Sequence, residues 1–366
     1  MTGTHRDDAP GEGPRESAHR WTGRDARLAP LRLGILGAAR ITDLAVVKPA
    51  KLTGTRLVAV AAREPARAAA FAEAHGVEKV HGSYRDVIDD PDVEAVYNPL
   101  PNSLHAPWNV AALAAGKHVF TEKPSASNAA EAEAVAAAAD RTGRQLFEGF
   151  HYVWHPLVAR LHAILASGEL GELRHAETVM DMPAPDPGDP RWSLEPAGGA
   201  LMDLGCYGLH SLRMLAPFTG GEPELVSATG GERQGHPGVD EWLTVELQFP
   251  SGVTGTAGCN MASDHHQMSH RLVGTAGEAV ITDFVNPHHD DRLVVTTRQG
   301  SRTERLGRRS SYTYQLEVFT AAVRTGVPAR TDAADAVRTM RLIDQCYEAV
   351  GLQPRPAHGR GGSEHR

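Results

Sequence analysis

Between residues 31 and 150 short apolar runs alternate with helix-forming stretches, and this alternation limits the possible folds more than any other feature of the chain. The run at 31–36 (LRLGIL) enters a small-residue turn, Gly37-Ala38-Ala39, and then a helical pattern, which predicts strand, turn and helix. A second run at 57–62 is followed by Pro65, suited to a first helical turn, by an Ala-rich helix and by a stop at Gly76. Further strands are expected at 94–97, 118–120 and 145–147, separated by helices that end at Gly116 and Gly143. Buried strands alternating with helices imply a parallel sheet covered on both faces, because each crossover helix must return the chain to the same sheet edge. Residues 31–150 are therefore expected to form a doubly wound α/β domain.

After residue 150 the pattern changes. A helix is predicted from near Pro156 to about Gly168, and strands with period-two alternation follow, most cleanly at 242–249 (WLTVELQF). Turns at Pro250-Ser251-Gly252, from Gly274 to Gly277 and at Gln299-Gly300-Ser301 predict antiparallel neighbours. An amphipathic helix over about 333–350 closes an α+β domain assigned to residues 151–355. Two domains also suit 366 residues, too many for one ordinary core. The stretches 1–30 and 356–366, rich in Gly, Arg and His and without periodicity, read as a disordered tail and a frayed end.

The formal charge of −8, with no block of Lys or Arg, argues against nucleic acid or a membrane surface as a partner. No window is apolar enough to span a bilayer, and the first thirty residues lack the apolar core of a signal peptide. Cys206, Cys259 and Cys346 are too far apart for a CxxC pair, which fits a reducing cytoplasm. The groups Asp264-His265-His266, His270 and His288-His289-Asp290-Asp291 lack a tight ligand spacing, so solvated loops are expected and no metal. Cys206 is expected to be a small buried side chain rather than a nucleophile.

In a doubly wound sheet the turn after the first strand faces a dinucleotide pyrophosphate with backbone N–H groups and a helix N-terminus. That turn is Gly37-Ala38-Ala39-Arg40-Ile41-Thr42. It keeps only the first glycine of GxGxxG; Ala39 puts a Cβ where the phosphate approaches, and Thr42 replaces a small packing residue, so an ordinary strand-to-helix turn is an equal reading. The second strand ends in Ala61, Ala62 and Arg63 instead of the carboxylate that binds the ribose hydroxyls of NAD. A guanidinium there suits a 2′-phosphate, which favours NADP over NAD; a solvated helix-entry arginine is the plainer alternative. At the mouth of the strand expected at 118–120, Lys123 is placed to polarise a hydroxyl beside that crevice.

From Leu31 to about Arg355 the chain resembles the Gfo/Idh/MocA oxidoreductases. The resemblance rests on LGILGAARI at 33–41, VYNPLPNSLHAPW at 96–108, AGKHVFTEKP at 115–124, EGFHYVWHP at 148–156, GGALMDLGCYGLH at 198–210 and DAVRTMRLIDQCYEAVGL at 335–352. It is nearest to the branch containing glucose–fructose oxidoreductase and dimeric dihydrodiol dehydrogenase. It implies a Rossmann sheet, a second domain with a large, mostly antiparallel open sheet, and hydride transfer between the nicotinamide and a hydroxyl or ketone carbon of a polyhydroxylated small molecule. It also implies that Lys123 lies by the nicotinamide and substrate, that Glu122 approaches the nicotinamide ribose, and that Leu100, Asn102 and His105 flank this region. Arg191 and Trp192 would lie on a loop over the pocket. Where inositol-dehydrogenase-like members carry Asp-x-x-x-His, this chain has Asp203 and Tyr207, and the branch gives the phenol the proton-transfer role. One helical turn puts both on one face, with Lys123 expected to depress the Tyr207 pKa. His210 is a reserve acid–base candidate whose simpler reading is a hydrogen-bonded helix residue. Val153 stands where the branch often has Arg. Pairing through the open sheet, as a homodimer or homotetramer, is expected from the family. Two other readings stay open: a nucleotide-binding regulatory protein that has lost chemistry, and an enzyme using its nicotinamide transiently for a non-redox net reaction.

Overall fold

The computed structural model describes residues 29–357, so the expected tails at 1–30 and 356–366 lie outside the described residues but for two residues each. The first sheet comprises β1 (Arg32–Leu36), β2 (Arg56–Ala61), β3 (Lys79–Val80), β4 (Ala95–Asn98), β5 (His118–Thr121) and β6 (Leu146–Glu148). Its order is β3-β2-β1-β4-β5-β6 and every pairing is parallel. The helices α1 (Lys48–Thr53), α2 (Pro65–His75), α3 (Tyr84–Asp89), α4 (His105–Ala114) and α5 (Ala129–Thr142) make the crossovers. The strand residues are apolar on both faces because helices cover both faces, and β2, β4, β5 and β6 end within one residue of where the alternation predicts. Only β3 was missed, since Lys79 and Val80 carry no apolar run. The strand order reverses between β1 and β4, which opens a crevice at their carboxyl ends, where open α/β sheets bind ligands.

The helix after β1 is not regular. Pro49 has no N–H to give the carbonyl one turn back, and the preceding turn, Asp43–Val47, widens to π geometry, with the Lys48 N–H reaching Asp43 O.

Helix α6 (Pro156–Ser167) leads into the second sheet: β7 (Leu173–Asp181), β8 (Glu224–Glu232), β9 (Asp240–Gln248), β10 (Thr254–Asn260), β11 (Gln267–Gly274), β12 (Gly277–Ile281), β13 (Arg292–Thr297) and β14 (Gly300–Arg305). The order is β14-β13-β12-β11-β7-β10-β9-β8, antiparallel throughout except β7 with β10. One face is apolar, with Met180, Leu243, Val245, Leu247, Ala257, Leu272, Ile281 and Val295 buried, while Trp242 on the other face is 38 % exposed. Helix α7 (Cys206–Arg213) lies on the apolar face and α8 (Ala216–Thr219) follows it. Gly208 permits this seating: a Cβ there would come within 2.7 Å of Thr178 Oγ1 on β7.

The last helices, α9 (Ser311–Thr325) and α10 (Ala333–Ala349), return to the first sheet. Phe319 of α9 packs against Phe120 and Phe147 at ring-centroid distances of 5.5 Å. Each such buried aromatic contributes roughly 1.5–3 kcal/mol of hydrophobic stabilisation. Behind α10, buried Arg355 stacks on Tyr347, pairs with Asp240 and donates to the carbonyls of Gly198 and Gly238. No helix among the described residues is long and apolar enough to cross a membrane.

Candidate active site

Three elements from different parts of the chain meet at the crevice. The first is the end of β5, where Glu122 and Lys123 emerge directly from the sheet and a cis Lys123–Pro124 peptide follows. The second is the π turn Leu201–Gly205 that opens α7, with Asp203 inside it and Tyr207 just beyond. The third is the 3-10 turn His151–Trp154 after β6.

Lys123 Nζ donates to the Asp203 carbonyl at 2.6 Å and approaches Asp203 Oδ1 at 3.3 Å. The other carboxylate oxygen, Oδ2, accepts from Arg191 Nη1 at 3.3 Å, and Arg191 is itself held by two bonds of 3.0 Å to Asp189. Burial opposes the Lys123 charge, but Asp203, with Cys206 and Glu122, more than offsets it and keeps the ammonium above its ordinary pKa. Burial likewise works against the Asp203 carboxylate, and Lys123 and Arg191 hold it below the usual range. Lys123 is thus a fixed cation. Of its three N–H donors two face Asp203, which leaves one for the crevice.

The expectation that Lys123 depresses the Tyr207 pKa is not met. Nζ lies over the face of the Tyr207 ring, 4.8 Å from its centroid, rather than beside the hydroxyl. Burial pushes the phenol well above its ordinary value, and Tyr312 and Glu122 push it further, so Tyr207 is a neutral proton carrier at rest. Its hydroxyl instead meets His151 Nε2 at 3.2 Å. His151 Nδ1 is 2.8 Å from Ser311 Oγ, and the ring stacks on Tyr312 at 3.9 Å. Sequence reasoning did not assign His151 a role, although it lies in the EGFHYVWHP segment that carries the resemblance.

The remaining expected residues divide. Glu122 stands at the crevice with one oxygen fixed by Tyr97 at 2.7 Å, its carboxyl raised by burial. Leu100 packs beside Gly37, whose φ of +96° and missing Cβ, which would sit 3.0 Å from Leu100 Cδ2, make the turn after β1 a glycine position. Ala38 and Ala39 are half-buried in this turn, Ile41 starts the helix, and Arg40 and Arg63 are exposed. Arg67, in the first turn of α2, donates to Ala38 O at 3.0 Å and so ties that helix to the turn after β1. Asn102 ties the turn before α4 to Ala197 O at 3.0 Å. His105 is buried, its Nδ1 2.7 Å from Pro124 O, so it supports the Lys123 segment from behind. Trp192 departs from expectation. While Arg191 faces Asp203, the next side chain in this 3-10 turn points inward, 1 % exposed, its Nε1 3.3 Å from Pro185 O and its ring under Arg233. His210 is enclosed by Tyr152 and Asp335, and Val153 is buried in the core. His265 of the expected loop pairs with Asp264 and Asp181.

Comparison with known proteins supplies the family. Residues 31–150 match a model described as the oxidoreductase family with NAD-binding Rossmann fold, and residues 158–280 match the GFO/IDH/MocA C-terminal domain. D-xylose 1-dehydrogenase (NADP(+)) 2 of Haloferax volcanii is 34 % identical over 87 % of this chain and 97 % of its own. Trans-1,2-dihydrobenzene-1,2-diol dehydrogenase of Sus scrofa is 36 % identical over 69 % of this chain and 74 % of its own. Among solved structures, the 3-ketoreductase KijD10 of Actinomadura kijaniata, in complex with NADP and TDP-benzene, superposes with a TM-score of 0.81 at 29 % identity, covering 88 % of this chain and 98 % of that one. A fixed lysine, a buried tyrosine and an aspartate at the mouth of a doubly wound sheet, followed by an open antiparallel sheet, are accounted for together by these matches: the chain belongs to the Gfo/Idh/MocA family of oxidoreductases.

Proposed function

We propose that the protein is an NADP-dependent oxidoreductase that interconverts a hydroxyl and a ketone carbon on a sugar, polyol or dihydrodiol-like substrate. The observation that carries this reading is the convergence of Lys123, Asp203 and Tyr207 at the switch-point crevice. The cofactor, when bound, supplies or accepts the hydride. The residues fit it: a positive-φ glycine turn after β1, no carboxylate at the end of β2, and two guanidiniums, Arg63 and Arg67, for a 2′-phosphate. Glu122, fixed by Tyr97, would meet the nicotinamide ribose of the bound cofactor.

In reduction, the free N–H of Lys123 polarises the substrate carbonyl while Tyr207 gives its proton to the forming hydroxyl. In oxidation the same groups act in reverse. Asp203 has both oxygens engaged by cations, so its work is to fix Lys123 and Arg191 rather than to bind substrate alone. The test is a spectrophotometric screen for NADP reduction across polyols, aldoses and dihydrodiols, with ketoses and ketosugar nucleotides run against NADPH. Turnover with at least one class is expected; bound cofactor with no turnover on any of them would reject the reading.

The open face of the second sheet, with Trp242 outward, supports a homodimer or a dimer of dimers, which light scattering decides by mass. The three buried free thiols support a cytoplasmic setting.

A further inference from the structure

We propose that His151 is the positioning residue of Tyr207, holding the phenol hydroxyl toward substrate and meeting the charge left on its oxygen when the proton departs. The inference rests on the reading of Tyr207 as the proton-transfer group and adds the group that supports it.

Tyr207 offers one O–H and needs it for the substrate oxygen. The phenol oxygen must then accept whatever bond it makes inside the protein, and the partner in place is His151 Nε2, at 3.2 Å. Nε2 must therefore carry hydrogen. Burial, with the Lys123 charge adding to it, pushes His151 down to about 3, so the ring is neutral and has a single N–H. Nδ1 is left to accept, and Ser311 Oγ at 2.8 Å is the donor. Stacking on Tyr312 at 3.9 Å fixes the ring plane, and Ser311, itself fully buried, fixes its rotation.

Lys123 does not fill this role, because its ammonium lies over the ring face and is engaged by Asp203. During reduction the phenol O–H bond breaks, the proton passes to the substrate oxygen, and the phenolate accepts from His151 Nε2–H. Solvent entering the crevice after product release returns a proton to the phenolate. His151 stays neutral and keeps its hydrogen throughout.

The test uses the full chain with D-xylose and NADP as the probe pair. A hydrogen bond to a charged oxygen corresponds to roughly a ten- to hundredfold effect on rate. His151→Leu is expected to lower kcat by that factor with little change in KM, and His151→Gln, which retains an N–H near the Nε2 position, is expected to recover most of it. In a Tyr207→Phe background, His151→Leu is expected to cost nothing further. Equal losses for Leu and Gln, or an undiminished loss in the Tyr207→Phe background, would overturn the proposal in favour of a purely structural histidine. A second arm needs no turnover. In histidine-labelled protein, nitrogen NMR should show a protonated Nε2 that moves in Tyr207→Phe and an unprotonated Nδ1 that moves in Ser311→Ala. A proton on Nδ1, or an Nε2 resonance indifferent to Tyr207→Phe, overturns it. Failure of D-xylose to turn over in the first arm would bear on the functional reading alone and leave this second arm to decide on His151.

Discussion

Tyr207 and His210 stand one turn apart on α7, each within a cluster that combines a cation, a carboxylate, an imidazole and a phenol, yet the two clusters are finished differently. Around His210, Nδ1 meets Tyr152 Oη at 2.6 Å, Nε2 meets Asp335 Oδ2 at 2.9 Å, and Arg213 pairs with the other Asp335 oxygen at 3.0 Å. The His210 and Asp335 side chains are 0 % exposed, and Phe150 stacks on the imidazole at 3.9 Å. Around Tyr207, the Lys123 and Asp203 side chains remain 13 % and 26 % exposed, and an N–H of Lys123 and the proton of Tyr207 are still available. The same chemical ingredients thus serve packing where every donor and acceptor is matched internally, and chemistry where one or two face the crevice.

The contrast is broken most severely if the open cluster proves dispensable for turnover. Tyr207→Phe is expected to lower turnover by about 10²- to 10⁴-fold while shifting unfolding by no more than about 1 kcal/mol. Lys123→Met should be at least as damaging, and the double variant little worse than either, since the groups act as one unit. Steady-state kinetics paired with urea unfolding checks both halves.

The sealed cluster should behave in the opposite sense. Asp335→Ala leaves Arg213 and His210 buried without their partner and is expected to cost about 3–5 kcal/mol of stability, read from the urea midpoint, with turnover per folded molecule nearly intact. A catalytic loss without a stability loss would contradict the assignment of His210 to packing.

A third variant calibrates the comparison by touching neither cluster. Arg63→Ala should weaken NADP binding by about 1–3 kcal/mol and leave NAD nearly unaffected, as titration calorimetry would show. Equal losses for both cofactors would mean that Arg63 does not read the 2′-phosphate.

A further check on the contrast is the pH dependence of the sealed cluster. Against burial, which alone would raise it, His210 and Arg213 hold the Asp335 carboxyl down to about 2, below its ordinary 3.8. A depressed carboxyl pKa stabilises the fold at pH above the unfolded value, and this contribution disappears as pH falls from about 4 towards 2. It corresponds to about 2 kcal/mol, so Asp335→Asn should flatten the acid limb of the stability profile over that window.

Much of this was legible in the amino-acid order, for physical reasons that also mark the limit. Lys123 was found because it stands at the end of a strand, where local pattern and chain geometry agree, whereas Asp203 and Tyr207 were found only through the family motif they resemble. Ser311 could not be matched to His151, 160 residues earlier, because their contact depends on α9 folding back over the first sheet. The direction of the Tyr207 pKa was misjudged for a related reason: it depends on how completely the ring is buried among Phe150 and Tyr152, a property of packing and not of spacing. The resemblance placed Arg191 and Trp192 together over the pocket, and a single residue step in a tight turn reverses the direction of a side chain.

The wide turn at Leu201–Gly205 has a consequence for how this site can change. A π turn amounts to one residue more than an α-helix would use, and the widened turn absorbs it, so what precedes it and the helix that follows keep their rotational phase. Removing one residue would restore ordinary winding without turning Tyr207, but it would take that residue out of the turn that holds Asp203 and shift Asp203 against Lys123. Point substitutions tune the individual groups, whereas a deletion here would act on the Asp203–Lys123 contact and leave the face of the following helix where it is.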